Sequence, residues 1–141
     1  YTVSDDTLIP TGVLTNVANT PLDFRKPHKI GERIDKLDNG YDHNFILNKG
    51  TKNELSFTAR VSDPSTGRTM EMYTTEPGVQ LYTGNFLNGT FKDTSGKVIQ
   101  KYYGFCLEAQ HYPDSPNKSQ FPSAILIPGE KYTQTTIYKF L

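Results

Sequence analysis

Leu55, Phe57, Ala59 and Val61 alternate with Ser56, Thr58, Arg60 and Ser62. A two-residue period sends successive side chains to opposite faces of a pleated strand, so the segment reads as a half-buried β-strand. Asp63-Pro64-Ser65-Thr66-Gly67 follows, with proline early, where its fixed φ suits a turn, and glycine late, where positive φ is free. Met70 and Met72 then alternate with Thr69, Glu71 and Tyr73, and together these segments predict a β-hairpin. The same alternation recurs in Val79 and Leu81 against Gln80 and Tyr82. It recurs again in Tyr103, Phe105, Leu107 and Ala109 against Gly104, Cys106, Glu108 and Gln110. Further strands are expected over His43–Asn48, Ser123–Ile127 and Thr133–Phe140. Only Pro27–Asn39 has helical spacing: Ile30, Ile34 and Leu37 fall at i, i+4 and i+7, and Gly40 is placed to end a short helix. Short strands joined by turns predict an all-β sandwich.

The 141 residues show no internal repeat, linker or composition shift, so they read as one domain. Lys and Arg total 15 and Asp and Glu total 15, a net charge of zero. A nucleic-acid binder carries a basic excess to neutralise phosphates, and a membrane-surface protein carries a polybasic face; neither fits. No apolar run approaches the ~18 residues of a spanning helix. Aromatics at 12% and charged residues at 21% also argue against a disordered chain. The single cysteine, Cys106, cannot form an internal disulfide or a cysteine metal knuckle, and it fits a reducing compartment. Residue 1 is Tyr rather than Met, which points to a processed product or a fragment. Asn88-Gly89-Thr90 and Asn117-Lys118-Ser119 match the glycosylation pattern, as chance also provides in a chain rich in Asn, Ser and Thr.

Three positions stand out chemically. Glu108 shares its strand face with Gly104, Cys106 and Gln110, a small and polar face. A partly desolvated carboxylate there could be tuned as a general base, although the pattern alone favours an exposed Glu on a solvent-facing strand. Asp42 lies in Gly40-Tyr41-Asp42-His43-Asn44-Phe45, which packs a carboxylate, an imidazole and an amide between aromatics. Sugar sites use such mixtures, because planar polar groups bind hydroxyls while aromatic faces cover the ring's C–H surface; an Asx turn leading into a strand fits the spacing equally well. Gln80 faces away from Val79 and Leu81, as an ordinary polar strand residue also would. His28, His43 and His111 have no metal-ligand spacing, and there is neither a glycine-rich phosphate loop nor a G-x-S-x-G elbow.

These same segments resemble the galactose mutarotases (aldose 1-epimerases). The matching runs are Gly40–Phe45, then Tyr73-Thr74-Thr75-Glu76-Pro77-Gly78-Val79-Gln80-Leu81-Tyr82-Thr83-Gly84-Asn85-Phe86, then Gly104-Phe105-Cys106-Leu107-Glu108-Ala109-Gln110. Ile9-Pro10-Thr11-Gly12 and Pro128-Gly129-Glu130-Lys131-Tyr132 support them. The resemblance runs through nearly the whole chain, in order. It implies a galactose mutarotase-like β-sandwich of large twisted sheets (a supersandwich), of which residues 1–141 form a C-terminal portion. It implies interconversion of the α and β anomers of free aldoses such as galactose and glucose, with no cofactor and no metal, in the cytoplasm. Glu108 matches the family's general base, Asp42 an acidic residue that hydrogen-bonds sugar hydroxyls, and Gln80 a more variable substrate contact. The family's general-acid histidine, a second histidine and an arginine lie upstream of the matched segment, and His28, His43 and His111 do not match them. The chain is therefore expected to carry the base, to lack the acid, and to have the N-terminal portion of the same enzyme as its partner.

Two other readings compete. A non-catalytic carbohydrate-binding module would cover a sugar with Tyr41, Tyr82 and Phe86. An epimerase of hexose 6-phosphates would need a basic pocket, whereas Arg25, Arg33, Arg60 and Arg68 are dispersed.

Overall fold

A computed structural model describes residues 1–141. The expected hairpin is its longest regular feature: β4 (Ser56–Asp63) and β5 (Arg68–Thr74) pair antiparallel. Asp63 builds the turn between them. One carboxylate oxygen accepts from the Ser65 amide at 3.0 Å and hydroxyl at 2.7 Å, and the other accepts from the Thr66 hydroxyl at 2.7 Å. Gly67 closes the turn at φ 72°, where a side chain would be strained.

The register slips between Phe57 and Ala59, a β-bulge that breaks the two-residue period. Phe57 therefore pairs with Tyr73, while Ala59 and Val61 pair with Met72 and Met70 on the other face. Phe57 is 55% exposed and its ring stands 5.6 Å from Tyr73, whereas Met72 is fully buried. β8 (Thr136–Phe140) pairs with the free edge of β5 to complete a three-stranded sheet.

A second three-stranded antiparallel sheet has the order β3 (Asp42–Ile46), β6 (Gly78–Tyr82), β7 (Cys106–Gln110). Cross-strand neighbours share a face, so His43–Leu81–Leu107 and Phe45–Val79–Ala109 form rows on one side. That side meets the core of Leu22, Tyr41 and Leu81, with Phe24, Ile30, Ile34 and Leu37 packed against it. Burying a Leu-sized side chain contributes ~1.5–3 kcal/mol. A two-stranded sheet of β1 (Thr2–Ser4) and β2 (Pro10–Leu14), which the alternation did not foretell, lies beside β3.

The helix expected over Pro27–Asn39 is instead two single 3-10 turns, Ile30–Glu32 and Ile34–Lys36. Arg33 separates them at φ −131°, because its guanidinium donates to the Asp23 carbonyl at 2.9 Å and lies over the Phe24 ring. Ile30, Ile34 and Leu37 still face the core, so the spacing located the apolar side while the tertiary contact decided the backbone. Ser123–Ile127 forms no strand: no neighbour pairs with it, and Ile125, Leu126 and Ile127 are exposed. The strand expected over Thr133–Phe140 begins at Thr136, and the one expected over His43–Asn48 ends at Ile46. No helix is long and apolar enough to cross a membrane.

Candidate active site

The second face of the β3–β6–β7 sheet is polar, and antiparallel register assembles it from residues far apart in the chain. One row is Asp42–Tyr82–Cys106, the next Asn44–Gln80–Glu108, and the third Ile46–Gly78–Gln110. Glu108, Gln80 and Asp42 therefore lie on one surface, with Glu108 directly opposite Gln80. The sequence pattern had placed Glu108 and Gln80 on separate strands without relating them, and had left Asp42 just before the strand expected over His43–Asn48, whereas β3 begins at Asp42.

Hydrogen bonds tie most of this surface together. Gln80 Nε2 donates to Asp42 Oδ1 at 2.8 Å. Gln110 Nε2 donates to Gln80 Oε1 at 2.9 Å and to Asn44 Oδ1 at 3.2 Å. Asn44 is 2% exposed, and its Nδ2 is buried with no partner. A small cleft of about 50 Å³ opens between Asp42, Asn44 and Gln80 on one side and Thr2, Ser4 and Pro10 of the β1–β2 hairpin on the other. Asn44 and Gln110 are the members of this surface to which the sequence alone gave no individual role. Their spacing of two from Asp42 and from Glu108 is the signal that places them on it.

Glu108 differs from its neighbours. It is exposed on the outer strand and takes no hydrogen bond within the chain, so its carboxylate is free to meet a ligand. Its charge is felt nearby. Partial burial, then the Glu108 charge, pushes the Cys106 thiol above its ordinary pKa. Burial, then Glu108, does the same to the Tyr138 phenol. The Tyr138 hydroxyl donates to the Leu107 carbonyl at 2.6 Å, so β8 of the neighbouring sheet holds the backbone beside Glu108.

Of the three aromatic residues suited to cover a sugar, Tyr41 is fully buried and its hydroxyl is bonded to the Pro21 carbonyl, which removes it from the surface. Tyr82 and Phe86 stack at 6.2 Å beside Asp42's row, and Phe86 is 64% exposed.

None of the histidines joins Glu108. His28 pairs with Glu32 at 3.2 Å. His43 points to the core face, where its Nδ1 accepts the Asp42 backbone N–H at 3.0 Å. His111 Nδ1 lies 2.7 Å from the buried carboxylate of Glu76, which also accepts the Tyr132 hydroxyl. That carboxylate pushes Tyr132 up to about 12. Arg25, Arg33 and Arg60 are engaged with Asp23, the Asp23 carbonyl and Glu71 respectively. No three His, Cys, Asp or Glu side chains stand together as metal ligands would.

Antiparallel sheets whose one open face carries a row of carboxylates and amides define a β-sandwich with a polar working surface. The chain belongs to the aldose 1-epimerase family, whose model matches residues 1–139. It is 51% identical over 141 residues to the galactose mutarotase of Homo sapiens and 50% identical to that of Rattus norvegicus, in each case over 99% of this chain and 41% of the relative. It is 35% identical to the aldose 1-epimerase of Escherichia coli. Among solved structures, a GalM/aldose epimerase homologue from C. elegans superposes with a TM-score of 0.83 at 26% identity, over 99% of this chain and 42% of that one. The chain thus spans about two-fifths of the length of the relatives it matches.

Proposed function

We propose that residues 1–141 are the C-terminal portion of an aldose 1-epimerase and supply its general base and part of its sugar-binding surface. The substrates are free hexoses such as galactose and glucose, and the compartment is the cytoplasm. Glu108 takes the proton from the C1 hydroxyl. An acid protonates the ring oxygen, the C1–O5 bond breaks, and the open-chain aldehyde rotates about its bond to C2. Ring closure on the other carbonyl face returns both protons and gives the opposite anomer. Asp42 and Gln80 hold sugar hydroxyls. Positioned acid and base groups each contribute ~10²–10⁴-fold.

The observation that carries this reading is the unpaired Glu108 carboxylate standing opposite Gln80, which is itself bonded to Asp42. A base must be unencumbered, whereas hydroxyl-binding groups gain from being fixed in advance. The acid comes from outside this chain: His28, His43 and His111 all lie away from the Glu108 face. The partner is accordingly the remainder of the same enzyme, and the 141-residue chain by itself is inactive.

Polarimetry on freshly dissolved α-D-galactose and α-D-glucose tests the reading. The intact protein carrying this chain accelerates the approach to equilibrium rotation, and residues 1–141 alone do not. Sugar binding by titration without anomer exchange, in the intact protein, would instead establish a carbohydrate-binding module.

A further inference from the structure

The polar face holds more order than a base and two contacts require. Asp42, ionised, can only accept hydrogen bonds, so the Gln80 amide must turn its NH₂ toward it. That leaves Gln80 Oε1 facing β7, where it needs a donor, and Gln110 Nε2 supplies one at 2.9 Å. The same nitrogen reaches across β6 to Asn44 Oδ1 at 3.2 Å. Asn44 is thereby turned with its Nδ2 away from Gln110. One charged end sets the direction of the whole chain of amides.

The bridge from β7 to β3 has to pass over β6, and it passes over Gly78. Gly78 sits between Ile46 and Gln110 in the register, and a Cβ there would lie 2.5 Å from Asn44 Oδ1. Its φ is not in the left-handed region, so glycine is required here for space rather than for backbone freedom.

We infer that Gln110 is a positioning residue: held to Asn44 across the gap left by Gly78, it pins the Gln80 amide so that Gln80 and Asp42 present one fixed pattern of donor and acceptor to the sugar. With its oxygen turned toward Gln110 and one N–H given to Asp42, Gln80 keeps its second N–H to offer the sugar. Asp42 Oδ2 is left as an acceptor. A hydroxyl that donates to Asp42 and accepts from Gln80 fits; the reversed pattern does not. Losing the pin frees Gln80 to turn and weakens ground-state and transition-state binding alike, while Glu108 is untouched.

The inference rests on the aldose-binding reading for its kinetic consequence and on the hydrogen-bond chain alone for its stability consequence, so both are measured in the intact protein. In Gln110→Met, and separately in Gly78→Ala, KM for the aldose rises about tenfold while kcat changes less than about threefold. Gln110→Glu puts an acceptor against Gln80 Oε1, and Asp42 prevents Gln80 from reversing, so this variant melts lower than the parent. Adding Asp42→Asn removes the block and lets the chain run the other way. The double variant therefore melts higher than Gln110→Glu alone. Unchanged KM in both Gln110→Met and Gly78→Ala, in a protein that exchanges anomers, would overturn the positioning role. So would additive losses of melting temperature in the double variant. A protein that exchanges no anomers would refute the aldose reading, and the melting cycle would still decide whether the chain is directional.

Discussion

Asp42 and His43 are adjacent in the chain and face opposite sides of β3, and their chemistry divides accordingly. Asp42 joins the polar row, whereas His43 packs between the rings of Tyr1 and Tyr41. Burial pulls the His43 pKa below its ordinary value, with the Asp42 carboxylate opposing and the Tyr1 amino group assisting. Its Nδ1 already accepts the Asp42 amide, so protonation would also break that bond. A histidine kept neutral in the fold contributes stability that is complete above its unfolded pKa of about 6.5 and declines as pH falls toward its lower folded value. The melting temperature should therefore drop between about pH 7.5 and about pH 5.5. In His43→Gln, which keeps an acceptor without a titration, the drop should be smaller even if the variant is less stable throughout. At the same scale, two-residue spacing assigned Glu108 and Gln80 their strand faces, whereas Asp42 lay outside the strand the spacing predicted. The sequence was misleading about Tyr41, because an aromatic beside a candidate carboxylate does not reveal that its own hydroxyl is spent on Pro21.

At the scale of elements, alternation identified the hairpin, β6 and β7, and it failed where another force intervened. The bulge at Phe57–Ala59 moves Phe57 to the outside of β4. Met72→Ala, at a fully buried site, should cost ~2–5 kcal/mol by denaturant unfolding, whereas Phe57→Ala, more than half exposed, should cost less than ~1.5 kcal/mol. Equal costs would argue that the uninterrupted alternation, not the bulge, describes β4. Ser123–Ile127 has a strand's residues but no neighbouring edge to bond, and composition alone cannot reveal that. The Arg33 contacts break the apparent helix in a similar way. The pairing of β3, β6 and β7, which makes the site, joins residues up to 66 positions apart. Local periodicity carries no information about such pairings.

At the scale of the whole molecule, large apolar side chains remain exposed over several regions, among them Val13, Leu14, Ile125, Leu126, Ile127, Phe140 and Leu141. Monomeric proteins rarely leave extensive apolar patches open. Residues 1–141 on their own should self-associate or precipitate, and sedimentation velocity should show species larger than 15.9 kDa that dissociate in mild denaturant. A clean monomer with a cooperative melt would contradict this. The chain spans about two-fifths of the length of its relatives, and the proposed function has its acid supplied from outside these residues.

The central claim is that Glu108 is the base of anomer exchange. Saturation-transfer NMR on α- and β-galactose measures it most directly in the intact protein, comparing the parent with Glu108→Gln. The account predicts that kcat falls ~10²–10⁴-fold in the variant while the melting temperature is preserved, because the exposed carboxylate makes no hydrogen bond in the fold. Exchange retained in Glu108→Gln to within about threefold of the parent would contradict it.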